Sequence, residues 1–146
     1  MQDMAETMSS DLPAGMRLGF DLVRVSHVAQ SLEQFGAAFE SRLFTPHERA
    51  YAHSGTGVAI ERLAARFAAK EAVIKALGLS NAGVSWRDIE VRKQDDGDCS
   101  VRLHGLAADI AASRGVSYVL LSLSHDGDYA GAVATVIFCN KNQQRS

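Results

Sequence analysis

From Arg17 onward apolar and polar positions follow a period of two: Leu18, Phe20 and Leu22 alternate with Gly19, Asp21 and Val23, which predicts a β-strand. The period then lengthens. Val28 to Phe39 reads as a helix, followed by a break at Ser41-Arg42-Leu43-Phe44. Thr45-Pro46-His47-Glu48 has the composition of a helix start, with Thr as N-cap, Pro at the first helical position and Glu at the third. Gly55 and Gly57 interrupt the pattern before Glu61 to Leu77, the strongest helix, which is rich in Ala, Leu, Lys and Glu and closed by Gly78. Asp88–Lys93 and Cys99–Leu103 predict a hairpin around Gln94 to Asp98. Leu106 to Ser113 predicts a small-residue helix ended by Gly115, and Val116–Ser124 with Ala130–Phe138 a second hairpin around Asp126-Gly127-Asp128. Hairpins interspersed with helices imply an α+β fold, a small mixed and mainly antiparallel sheet packed on the long helix.

Projected at about 100° per residue, the helix from Glu61 carries Leu63, Phe67, Ile74 and Leu77 on one stripe and six alanines (64, 65, 68, 69, 72, 76) over most of the opposite side. A helix apolar on two faces is covered on both, and the alanine side admits a close neighbour. Arg62, Arg66 and Lys70 form a ladder at i, i+4, and Glu71 stands four residues before Lys75. Two readings compete: surface ion pairs whose alkyl stems cover the stripe, or a phosphate-binding edge with one carboxylate reserved for a divalent metal.

Asp21 interrupts an otherwise apolar strand, where aspartate is disfavoured. It is either an outward-facing residue on an edge strand or a metal or catalytic carboxylate. One Asp and one Glu are sparse ligation for Mg²⁺, as suits a metal completed by substrate phosphates and water. His125 ends a strand, a position open to a hydrogen-bonded structural role as well as a functional one. His27, His47, His53 and His104 show no metal-ligand spacing, and Gly78 to Gly83 is a flexible loop matching neither GxGxxG nor a P-loop.

The 146 residues, 47% hydrophobic and 22% charged, are those of a globular chain and exclude a disordered one. Both charge signs are interspersed and the net charge is -2, so there is no broad basic footprint for nucleic acid. No run reaches the roughly 20 apolar residues of a membrane span. Residues 1–15 carry three acids and no Lys or Arg, which excludes a signal peptide and suggests an N-terminal extension before a single domain over 16–140 and a polar tail over 141–146. Cys99 and Cys139 stand apart without CxxC spacing, which fits a reduced, cytoplasmic protein, with a disulfide between them the lesser alternative.

Gly19-Phe20-Asp21-Leu22-Val23 resembles the opening strand of the holo-acyl-carrier-protein synthases, the small 4′-phosphopantetheinyl transferases. Arg66-Phe67-Ala68-Ala69-Lys70-Glu71-Ala72, followed by Lys75-Ala76-Leu77-Gly78, is similar to that family's most specific block; Ser85 to Val91 and Leu123-Ser124-His125 are similar to later ones. The blocks are collinear over roughly residues 17–138. The resemblance implies Mg²⁺-dependent transfer of 4′-phosphopantetheine from coenzyme A to a serine of apo acyl carrier protein, with release of adenosine 3′,5′-bisphosphate. It implies Asp21 and Glu71 as metal ligands and Glu71, Asp21 and Lys70 as catalytic residues. Arg66, Phe67, Lys70, Lys75, Gly78 and His125 would lie at the coenzyme A site. The proton of the attacking serine would pass to Glu71 or to a water beside the metal. The resemblance further implies a homotrimer with sites between subunits, which would account for the alanine-faced helix. Arg42 lies in a segment matching the family's carrier-docking surface. Arg24 is its companion candidate, since acyl carrier proteins are acidic and residues 16–146 carry a net charge of +1, which is -2 less the -3 of the extension.

The chain departs from the family pattern in two places: His27 stands where an arginine is usual, and Gly78-Leu79-Ser80 replaces a Gly-Thr-Gly loop. These bear on docking and on the phosphate contacts respectively. Two other functional classes compete, a non-catalytic module that binds coenzyme A or carrier protein, and a structural trimerisation domain. Asp21, Glu71 and Lys70 together favour the enzyme, because a binder needs no pair of metal carboxylates.

Overall fold

A computed structural model describes residues 15–139. The expected extension over 1–15, apart from Gly15, and the tail over 141–146 lie outside these residues. The elements run β1 (Met16–Arg24), α1 (Val25–Leu43), α2 (Pro46–His53), α3 (Ala59–Leu77), a 3₁₀ turn (Trp86–Asp88), β2 (Ile89–Lys93), β3 (Cys99–Leu103), α4 (Gly105–Ser113), β4 (Val116–Asp126) and β5 (Tyr129–Phe138). The α+β class holds, and every strand pairing among the described residues is antiparallel. One sheet has the order β1-β5-β4, and β2 and β3 form a separate hairpin.

Local signals account for most of these boundaries. Thr45 forms a complete capping box: its hydroxyl accepts from the Glu48 N–H, and the Glu48 carboxylate accepts from the Thr45 N–H at 2.9 Å. The α1 break falls at Gly36 instead of Ser41, and the chain resumes as helix to Leu43. Gly36 has φ 65°, a left-handed conformation that glycine adopts without a Cβ penalty, whereas Ser41 and its neighbours keep helical backbone.

The core lies where α3 crosses the three-stranded sheet. Ala68, Ala69, Ala72, Val73 and Ala76 meet Ala132, Ala134 and Val136 of β5, with Ile89 and Val91 of β2 closing one side. Small residues on both surfaces bring the two backbones together, and Gly19 is the closest point: a Cβ there would stand 2.0 Å from the Ala72 carbonyl oxygen. The alanine face of the helix is therefore covered within the chain, which corrects the expectation that a trimer would account for it. The large apolar residues of β1 point the other way. Leu18 is 68% exposed, Phe20 58% and Leu22 55%, while Gly19, Asp21 and Val23 face the helix. No helix among the described residues is long and apolar enough to cross a membrane.

Candidate active site

The close approach of β1 and α3 decides where the acidic residues go. Because Gly19 lets the strand lie against the helix, Asp21, two residues on and on the same face, is directed at the Glu71–Lys75 turn of α3. The Lys75 ammonium donates to Asp21 Oδ1 at 2.8 Å and to the Phe20 carbonyl at 3.0 Å. The i, i+4 spacing suggested a Glu71–Lys75 pair; instead Lys75 reaches across to the strand, where a carboxylate and a carbonyl receive it together. Burial, reinforced by the negative charge of Asp21 and opposed by Lys75, raises the Glu71 carboxyl above its ordinary range. The hydrogen bond to Asp21 raises Lys75 in turn. Two carboxylates near enough to repel, with one half-exposed ammonium beside them, form an oxygen donor set with excess negative charge. No group of three or more His, Cys, Asp or Glu side chains that could hold a metal ion by itself occurs among the described residues. The set thus fits a hard divalent ion that takes its remaining ligands from phosphate and water.

Two grooves open along the preceding turns of α3, one reaching Phe67 and the other Arg66. One, of about 430 Å³, is lined by Leu22, Val28, Phe39, Leu43, Phe44 and Phe67, with Arg24, His27 and Ser31 on its polar side. Phe67 is held there by a stack on Trp86, centroids 5.3 Å apart. The second, of about 330 Å³, gathers Arg62, Arg66, Lys93 and His125 around Tyr51. Arg62 and Arg66 lie over the Tyr51 ring at 4.4 and 4.2 Å. Arg66 is 4% exposed and its Nε has no hydrogen-bond partner among the described residues. Burial pushes its guanidinium below the ordinary value, and Cys99, Tyr51 and Glu48 push back. A buried guanidinium with an unpartnered Nε, beside two further cations, suits an anionic ligand.

The structure brings most of the expected residues together, but not Lys70. That side chain is fully buried, and its three protons are committed to Glu48 Oε1 at 2.7 Å, the Ile89 carbonyl at 2.5 Å and the Trp86 carbonyl at 3.0 Å. Burial lowers its ammonium and Glu48 opposes the shift. With no donor left, Lys70 drops out of the phosphate-binding edge, and the surface ion-pair reading fails with it. Gly78 ends α3 in the left-handed conformation (φ 68°) beside the Arg17 and Arg114 side chains, twelve residues and about 18 Å of helix rise beyond Arg66. Arg24 stacks on Tyr129 at the mouth of the larger groove, whereas Arg42 is exposed at the far end of α1, outside it. Cys99 and Cys139 are both free thiols.

Sequence reasoning placed Arg62 on the ladder but missed Tyr51 and Lys93, which join it only when α2, α3 and the β2–β3 hairpin meet. It also missed Glu48 as the partner of Lys70, 22 residues away, because its capping role already explained it.

Known proteins resemble this chain over most of its length. The sequence profile of the 4′-phosphopantetheinyl transferase superfamily matches residues 17–134. The holo-[acyl-carrier-protein] synthase of Desulforudis audaxviator is 44% identical over 128 residues, 88% of this chain and 97% of that protein. That of Koribacter versatilis is 45% identical over 120 residues, 82% of this chain and 94% of that protein. Among solved structures, the Chronobacterium ammoniagenes ACPS–CoA complex superposes with a TM-score of 0.74 at 37% identity, covering 86% of this chain and 98% of that one. The holo-[acyl-carrier-protein] synthase of Neisseria meningitidis superposes with a TM-score of 0.76 at 31% identity, covering 82% and 96%.

Proposed function

This chain belongs to the 4′-phosphopantetheinyl transferase superfamily, and we infer from that premise and from the site that it converts apo acyl carrier protein to the holo form. The reaction moves 4′-phosphopantetheine from coenzyme A to a carrier serine and releases adenosine 3′,5′-bisphosphate. The observation that carries the reading is the Asp21–Lys75–Glu71 cluster where β1 meets α3, one turn beyond Phe67 of an apolar groove and Arg66 of a cationic one.

In the proposed reaction the serine oxygen bonds to the β-phosphorus of coenzyme A as the bond from that phosphorus to the bridging oxygen breaks. The leaving bisphosphate keeps that electron pair. The serine proton passes to the Glu71 carboxylate, whose buried position and acidic neighbour give it more affinity for a proton than an ordinary glutamate. Arg66 and His125 hold the nucleotide phosphates in the cationic groove, and Lys75, paired with Asp21, would offset the charge that grows on the pyrophosphate. Phe67 orients the pantetheine arm. Asp21 and Glu71 would hold Mg²⁺, which when bound supplies charge neutralisation at the pyrophosphate. Arg24, with His27 beside it in the groove, faces the acidic carrier.

The outer face of the sheet supports a homotrimer. Leu18, Phe20, Leu22, Tyr118, Leu120 and Val133 are each at least 40% exposed there, a contiguous apolar surface of the kind a second copy covers. His125 borders the same face, so a neighbouring chain would complete the site. The protein is proposed to work in the cytoplasm. Mass spectrometry of apo carrier proteins incubated with coenzyme A and Mg²⁺ tests the function: addition of the phosphopantetheine arm is expected, and unmodified carrier throughout would refute it.

A further inference from the structure

We infer that Glu48 is a positioning residue for the transfer reaction: acting through Lys70, it fixes the rotation of α3 that presents Glu71 to Asp21. The inference rests on the transferase reading above.

Glu48 and Lys70 are both 0% exposed. Glu48 Oε1 accepts from Lys70 Nζ at 2.7 Å and from the Thr45 N–H at 2.9 Å, and Oε2 accepts from the Val91 N–H at 3.0 Å. Lys70 completes its three donors on the carbonyls of Trp86 and Ile89. One ion pair thus binds α3 to the α2 cap, the 3₁₀ turn and β2 through directional hydrogen bonds. The remaining buried face of α3 is five alanines with Leu63, Arg66, Val73 and Leu77, and the alanine contacts carry no directional bond. A rotation of about 20° would carry a side-chain tip at about 6 Å from the helix axis through about 2 Å. Lys70 immediately precedes Glu71, so such a rotation acts directly on the carboxylate. Arg66 has its own anchor outside α3, on the Tyr51 ring of α2. The Lys75–Asp21 pair joins β1 and α3 as well, but Lys75 is half exposed and its long chain is free to follow.

Stability alone does not call for this pair. A buried ion pair is often matched by apolar residues of similar volume, because desolvation cancels much of the attraction. That separates the two roles experimentally. The double variant Glu48→Leu with Lys70→Met fills the same space without directional bonds. Its melting temperature, its calorimetric affinity for coenzyme A without carrier, and its kcat by mass spectrometry are compared with those of the parent. It is expected to melt within a few degrees of the parent and to bind coenzyme A within about threefold, while kcat falls about tenfold or more, as a misplaced catalytic group predicts. A folded double variant with kcat within about twofold of the parent overturns the inference. Should the double variant fail to fold, Glu48→Gln is judged by the same criterion; failure of both to fold makes the pair a stability element and also overturns it. A parent that forms no holo-carrier refutes the transferase reading instead.

Discussion

Substituting Gly19 by alanine tests whether the contact of β1 with α3 builds the site. The added Cβ would stand 2.0 Å from the Ala72 carbonyl oxygen, 2.8 Å from the Ala76 nitrogen and 3.0 Å from the Ala72 carbonyl carbon, where ordinary contact begins near 3.4 Å. All three atoms are helix backbone, so no side chain can swing aside. The strand must lift by about 1.4 Å, the shortfall between 2.0 and 3.4 Å. Overpacking of this kind costs about 1–3 kcal/mol, and a rigid backbone obstacle puts it near the upper end. At roughly 3 °C per kcal/mol for a domain of this size, Gly19→Ala should melt about 10 °C lower. The catalytic effect should be larger. Asp21 lies two residues along the lifted strand and Glu71 adjoins the obstructing Ala72, so the carboxylates separate by about the same distance, and misplacement by about 1 Å can cost 10²-fold in rate. Gly131→Ala is the matched control: on β5, its Cβ would meet Leu22 Cδ1 at 3.5 Å and the Asp21 carbonyl at 3.7 Å, which is ordinary contact. Melting by circular dichroism and holo-carrier formation by mass spectrometry read both variants. Parent-like stability and rate in Gly19→Ala would refute the reasoning, as would equal losses in the two.

Glu71→Gln should abolish most transfer while the protein stays folded. Because burial and Asp21 raise the folded-state pKa of Glu71, its ionised form opposes folding at neutral pH, so the variant should melt at or slightly above the parent; a markedly lower melting temperature would contradict this. Excess EDTA should stop turnover in the parent, and full activity in EDTA would remove the metal from the site. Burial disfavours the Glu90 carboxylate, but hydrogen bonds from Thr45, Arg92 and His104 outweigh it and hold the group at about 2 against an ordinary 4.5. A depressed pKa stabilises the fold above pH 4.5, and that contribution, about 3 kcal/mol at most, disappears as pH falls from 4.5 toward 2. Glu90→Gln should flatten the stability profile in that window by urea titration, and an unchanged profile would count against the network. Raising salt should increase KM for carrier protein more than KM for coenzyme A, since long-range charge steers the carrier; equal sensitivity would count against Arg24 as a docking residue.

What could be read from the sequence divides by range. The Thr45 capping box, the Ala-rich α3 with its Gly78 stop and both hairpins follow from residues within a few positions of one another, and each is where its local chemistry puts it. Asp21 was legible because it breaks the apolar pattern of its strand, whereas its pairing with Glu71 came from the family resemblance. Which face of β1 packs inward was not. The alternation of Leu18, Phe20 and Leu22 suits either face, and only the alanine surface of α3, more than forty residues away in sequence, selects the one bearing Gly19 and Asp21. The fate of Lys70 was hidden for the same reason, since a lysine in an i, i+4 ladder carries no local mark that its ammonium will find a buried carboxylate and two carbonyls.

These features have one physical origin. A carboxylate on a strand and another on a helix can share an ion only where the backbones come close, and close approach excludes large side chains from the contact: Gly19, Ala132 and Ala134 on the sheet face Ala68, Ala72 and Ala76 on the helix. So thin an interface buries little apolar area per residue, and the bulky residues of β1 and β4 are left on the outer face of the sheet. The arrangement that brings Asp21 to Glu71 is thereby the one that turns Leu18, Phe20 and Leu22 outward. Substitution of Phe20 by a polar residue should accordingly weaken the proposed self-association, read by light scattering, without touching the helix contact, whereas enlarging Gly19 disrupts the site from within each chain.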